Sequence, residues 1–173
     1  VKEHYDDKPV RVYDELGVLD SDVLASQVVQ ADQEEIDILA RTGASVVTMP
    51  LSNCEVGGGI APVPDLLEAG VKVGIGTDGY INNFFEVMRG AFLIHKAFRQ
   101  DPQVMGARQV YRMATDMGAD ALGMPNAGRI APGMLADVIT VKMLDTPTPI
   151  NEKNIYDQLI LYRNPADVKN VFV

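Results

Sequence analysis

The chain has 173 residues, 47% of them hydrophobic and 23% charged, proportions that exclude disordered and fibrous classes and fit one self-supporting domain. Fifteen Lys and Arg against 24 Asp and Glu leave a net charge of −9, which opposes phosphate backbones and argues against nucleic acid as a partner. No apolar run reaches the roughly 18 to 20 residues of a membrane span, and the N-terminal Val1-Lys2-Glu3-His4-Tyr5-Asp6-Asp7-Lys8 is too charged for a signal peptide, so a soluble, cytoplasmic protein without a membrane partner is expected.

Residues 8–100 alternate short β-branched runs with stretches of helical period, the pattern of successive β-α units on a parallel sheet. The first unit has a strand over 23–29 and a helix over 32–40, with Asp32 as N-cap, Glu35 three residues later and Gly43 as the stop. The second has a strand over 44–49 broken by Pro50, a loop carrying Gly57, Gly58 and Gly59, and a helix near 62–69. The third has a strand over 71–76, a turn at Thr77-Asp78-Gly79 and a helix over about 83–100. One long amphipathic helix is expected over 107–122, closed by Gly123 and Pro125. A turn punctuated by Gly128 and Gly133, a strand over 137–141, a linker at Pro147 and Pro149, a helix over 152–161 and a terminal strand over 168–173 follow.

Asp78 stands between Gly76 and Gly79 at the C-terminal tip of a strand, the end of a parallel α/β sheet where ligands gather. A carboxylate there can ligate a metal or take a proton from water; it can equally be a turn residue or a helix cap. Ser52 and Asn53, after the second strand, can hydrogen-bond a substrate or simply close a turn. The glycines at 57–59 and 74–79 resemble phosphate cradles only superficially, because Asp78 would repel phosphate. His95 reads as a packed or capping residue, His4 as part of a mobile terminus and Cys54 as a buried thiol. One cysteine excludes an internal disulfide, and two histidines exclude a multi-histidine metal centre made by this chain alone.

Several motifs carry a resemblance: Tyr13-Asp14-Glu15-Leu16-Gly17-Val18-Leu19, Pro50-x-Ser52-Asn53, Gly59-Ile60-Ala61-Pro62-Val63, Gly76-Thr77-Asp78-Gly79, Met113-Ala114-Thr115 and Gly133-x-x-Ala136-Asp137-Val138-Ile139. Together they resemble the C-terminal part of the amidohydrolase superfamily, in its chlorohydrolase and aminohydrolase (deaminase) branch. The segment Thr148-Pro149-Ile150-Asn151-x-x-Asn154 is also similar to aminohydrolases associated with selenium metabolism. The resemblance implies an α/β fold: residues 1–125 as about the last three β-α units of a (β/α)8 TIM-like barrel, and 126–173 as strands of a small β-sandwich with a connecting helix. It implies a metal-dependent hydrolase acting on non-peptide carbon–nitrogen or carbon–halogen bonds of a small-molecule substrate, by deamination or dechlorination with metal-activated water. A divalent metal, Zn or Fe, is implied, with Asp78 as ligand and general base and with Ser52 and Asn53 at the substrate.

The sequence departs from that pattern on its sixth strand, where Gln27 takes the position of the metal histidine; Thr48 and Gln158 replace two further histidines. A neutral amide oxygen is a weaker ligand for a borderline metal than imidazole. The alternative is therefore a catalytically degenerate, metal-free subunit acting as a binding or assembly scaffold. A third reading, a free-standing small-molecule binding module, rests on the glycine loops alone. A barrel needs about 250 residues, so three β-α units leave open strand edges that a homo-oligomeric partner or a missing N-terminal part of the same protein would cover. The absence of an initiating Met favours the fragment, which is expected to be inactive by itself.

Overall fold

The computed structural model describes residues 5–79, 81–143 and 146–173; His4 lies outside the described residues. Strands β1 (Leu24–Ser26), β2 (Ser45–Thr48) and β3 (Val73–Ile75) form a parallel sheet in that order, with Ala25 opposite Val46 and Val47 opposite Gly74. Val46 and Val73 are fully buried, as continuous apolar runs in a parallel sheet covered on its faces require. Strand β1 is shorter than the apolar run suggests, because Gln27 and Val28 adopt φ of 69° and 48°. Gln27 N–H still donates to Val47 O at 2.8 Å, but Val28 N–H turns back to Ser26 O at 2.8 Å, closing a γ-turn centred on Gln27.

Helix α1 (Pro9–Glu15) packs on α2 (Gln33–Thr42). The capping box is present as expected: the Asp32 side chain accepts from Glu35 N–H, the Glu35 side chain accepts from Asp32 N–H, and Gly43 ends the helix at φ 77°. Lys8 and Arg11 of the neighbouring segment reach Asp32 at 2.9 and 2.6 Å. The Lys8 ammonium, followed by the Glu35 N–H, holds the Asp32 carboxyl down at about 2.

Pro50 starts a helix, α3 (Pro50–Glu55), where the sequence suggested a loop; at a first-turn position its missing N–H costs nothing and its fixed φ suits the helix. Helix α4 (Val63–Glu68) leads into β3, and α5 (Phe84–Arg99) follows it, capped by the Asn83 side chain on Glu86 N–H. The single long helix expected over 107–122 is instead two, α6 (Ala107–Met113) and α7 (Asp116–Ala121). The break falls at Thr115, whose hydroxyl donates back to Tyr111 O at 2.9 Å and whose carbonyl lies against Gly128. The break lets Gly118 of α7 sit against Gly74 of β3, where an added Cβ on Gly74 would stand 3.2 Å from Gly118 Cα.

Strands β4 (Val138–Val141) and β5 (Val168–Phe172) pair antiparallel as a second sheet, with Ile139 opposite Val171 and an irregularity between Thr140 and Val141. Helix α8 (Ile155–Tyr162) lies between them in sequence and packs on α5 and α6. Arg89 ties it down by donating to Ile160 O at 3.1 Å and Arg163 O at 2.9 Å. The core joining these layers includes Leu39, Val63, Leu66, Ala91, Val110, Met113 and Ile160.

Candidate active site

The C-terminal ends of all three parallel strands converge on Asp78. It follows β3 in a turn with Gly79, at φ 57°, a left-handed conformation that Asp tolerates better than most residues. Its Oδ2 accepts two hydrogen bonds: from Ser52 Oγ, in the first turn of α3 beyond β2, at 2.7 Å, and from Gln27 Nε2, beyond β1, at 3.0 Å. The same Gln27 Nε2 lies 3.8 Å from Met49 Sδ. Asp78 is exposed and Ser52 is buried, so the carboxylate is held from beneath and open above. Its Oδ1 has no hydrogen-bond donor among the described residues, which leaves it free to accept from a ligand.

The expected site residues therefore separate. Ser52 joins Asp78, on helix rather than in a turn. Asn53 is buried and lines a cavity of about 10 Å³, room for one water, together with Thr48 and His95. The Asn53 Nδ2 has no partner among the described residues. Thr48 faces this cavity too. Gln158 is buried on α8, and its Oε1 has no partner among the described residues. Cys54 is exposed, not buried, because it lies on the outer side of the short helix α3.

His95 is packed, as its place on α5 suggests, and 2% exposed. Burial, then the nearby Arg99, lowers its pKa to about 4, with Asp65 opposing. The unfolded chain takes up this proton first, so the stability His95 contributes is complete above pH 6.5 and is lost as pH falls towards 4. The loss is roughly 3 kcal/mol, and urea denaturation at pH 7 and 4.5 should show the difference between wild type and His95→Gln narrowing accordingly.

Beside Gln27 runs a groove of about 590 Å³ along the open edge of β1, lined by Tyr13, Val18, Leu24, Val28 and other mostly apolar residues. Sequence reasoning treated Gln27 only as a lost ligand and missed it as a hydrogen-bond donor to Asp78. No local signal announces this, since a γ-turn at a non-glycine residue has no composition of its own.

Among the described residues no three His, Cys, Asp or Glu are placed to hold an ion together. At Asp78 this chain offers one carboxylate whose Oδ1 is unbonded among the described residues and can serve as a single ligand of a zinc centre; the Ser52 hydroxyl and the Gln27 amide, bound to Oδ2 as donors, do not complete one.

The Amidohydrolase family profile matches residues 1–173. A 5-methylthioadenosine/S-adenosylhomocysteine deaminase from Thermococcus kodakarensis is 39% identical over 179 residues, covering 100% of this chain and 41% of the relative. An adenosine deaminase from Xanthomonas campestris with bound zinc superposes with a TM-score of 0.92 at 30% identity, over 99% of this chain and 40% of that one. Atrazine chlorohydrolase from Arthrobacter aurescens TC1, complexed with zinc, superposes at 0.85 and 25% identity, over 99% of this chain and 39% of that one. The chain thus spans about 41% of the length of the curated relative. With three parallel strand ends meeting at one carboxylate and a family match along its whole length, the chain belongs to the amidohydrolase family.

Proposed function

We propose that the full-length protein is a hydrolase that removes ammonia from an amino-substituted ring, with adenosine-type nucleosides as the substrate class, and that this chain supplies the proton-accepting carboxylate, Asp78. The observation that carries this reading is the fixing of Asp78 Oδ2 by Ser52 at 2.7 Å and Gln27 at 3.0 Å while Oδ1 stays open. Water oxygen attacks the ring carbon that bears the amino group, and Asp78 takes the water proton. The carbon–nitrogen bond then breaks and the nitrogen leaves as ammonia with the proton returned. The named deaminases among the relatives favour nitrogen over chlorine as the leaving group; the same geometry would serve a carbon–chlorine bond.

Residues 1–125 form, in this reading, the last three β-α units of a (β/α)8 barrel, and 126–173 part of a β-sandwich. The rest of the protein, or a second copy, covers the edge of β1 and the groove along it, and supplies the remaining pocket walls. The isolated chain is inactive for want of them. Ammonia release from adenosine, 5′-methylthioadenosine and S-adenosylhomocysteine tests the reading. Stoichiometric ammonia from one of them is expected. No ammonia from these or from other amino-substituted rings would overturn it.

A further inference from the structure

We infer that the cavity between β2, α3 and α5 is a built hydration site: it binds one water through the side chains of Asn53, Thr48 and His95, and that water anchors α3 from within. The space of about 10 Å³ admits one molecule of that size and no larger ligand. Asn53 is 2% exposed, Thr48 1% and His95 2%, so this chain by itself already closes off the three polar side chains, and further chain around it can only deepen their burial. An apolar cavity stays dry, whereas one with a few polar partners holds its water.

The Asn53 amide creates the demand. Its Nδ2 has no acceptor among the described residues, and a buried N–H that has lost its hydration without a replacement is destabilising. The Thr48 hydroxyl can both donate and accept. His95 is neutral at pH 7, because burial, then Arg99, lowers its pKa to about 4, and a neutral imidazole carries one N–H and one free lone pair. A water that accepts from Asn53 Nδ2 keeps both its hydrogens to give, one to the imidazole nitrogen and one to the threonine oxygen. Ile60, Ala61 and Ile94 complete the lining with apolar side chains.

The three residues come from three elements: Thr48 closes β2, Asn53 lies in α3 and His95 in α5. Helix α3 is only six residues long, too short to hold itself together, and it leans on α5 so closely that a Cβ on Gly90 would stand 2.5 Å from Leu51 Cδ2. The water adds a polar tie to that apolar seam. Successive helical residues point about 100° apart, so Ser52 can meet Asp78 while Asn53 turns inward. Asn53, which the resemblance places at the substrate, is on this inference a structural residue, and of the pair Ser52 alone reaches the carboxylate.

The test is the crystal structure of the full-length protein, at a resolution that shows ordered water, for wild type and for Asn53→Leu, which keeps the size of the side chain and removes its amide. In wild type one peak is expected within hydrogen-bond distance of Asn53 Nδ2, the Thr48 hydroxyl and a His95 nitrogen; in Asn53→Leu that peak is lost. No peak, a peak bound to other groups, or Asn53 turned out into the pocket beside Ser52 overturns the inference, and so does a peak that survives Asn53→Leu. Should Asn53→Leu fail to fold, Thr48→Val, also close in size, decides the same point by loss or survival of the peak. None of these readings uses turnover, so this inference and the proposed function stand or fall separately.

Discussion

Asp78→Asn in the full-length protein is expected to lower the rate of ammonia release by about 10² to 10⁴-fold, the usual loss when a positioned general base is removed. The substitution keeps the shape of the side chain and one carbonyl oxygen, so Ser52 Oγ retains an acceptor and the turn before Gly79 is undisturbed. What disappears is the affinity for a proton. Ser52→Ala makes the complementary test: it leaves the carboxylate in place and removes the 2.7 Å hydrogen bond that aims it. A drop of about tenfold in kcat, from the loss of one bond to a charged group, with KM little changed, is the expected outcome. Steady-state kinetics of both variants decides the matter, and unchanged kcat in Asp78→Asn would remove that residue from the mechanism.

Gly128→Ala is expected to destabilise the fold by about 2 to 4 kcal/mol. Gly128 sits at φ 74°, and an added Cβ would meet Thr115 O at 2.7 Å and Asp116 Cα at 2.9 Å, backbone atoms that cannot rotate away. Those atoms belong to the break between α6 and α7, so relief would have to move α7 off β3. Gly123→Ala is the control, because Gly123 has a similar φ of 68° but nothing within 4 Å of a would-be Cβ. It should cost only about 1 to 2 kcal/mol, the price of the left-handed conformation alone. Urea midpoints for the two variants separate the close approach from the dihedral.

The parts of this fold legible in the sequence are those fixed by local chemistry. Asp32, Glu35 and Gly43 announce both ends of α2, and the β-branched runs mark β2 and β3, because caps and buried strands need those residue types wherever they occur. Asp78 was legible as a strand-end carboxylate between glycines. The parts that were not legible depend on contacts distant in sequence. The split at Thr115 reflects Gly128 pressing on its carbonyl and Gly118 meeting Gly74, neither visible in the helical period of residues 107–122. Pro50 has the same chemistry whether it ends a strand or opens a helix, and here it does both. Gln27 reaching Asp78 requires a backbone conformation that no residue in that stretch encodes by type.

That conformation has an evolutionary consequence. The backbone at residue 27 is held by Gln27 N–H to Val47 O and Val28 N–H to Ser26 O, main-chain bonds that do not involve the amide at the tip of the side chain. The position is a socket into which different side chains can be fitted without rebuilding the strand around it. Glutamine and histidine codons differ by a single nucleotide. An exchange between the two at this position is therefore one mutational step, and it leaves the main-chain bonds of the strand end in place.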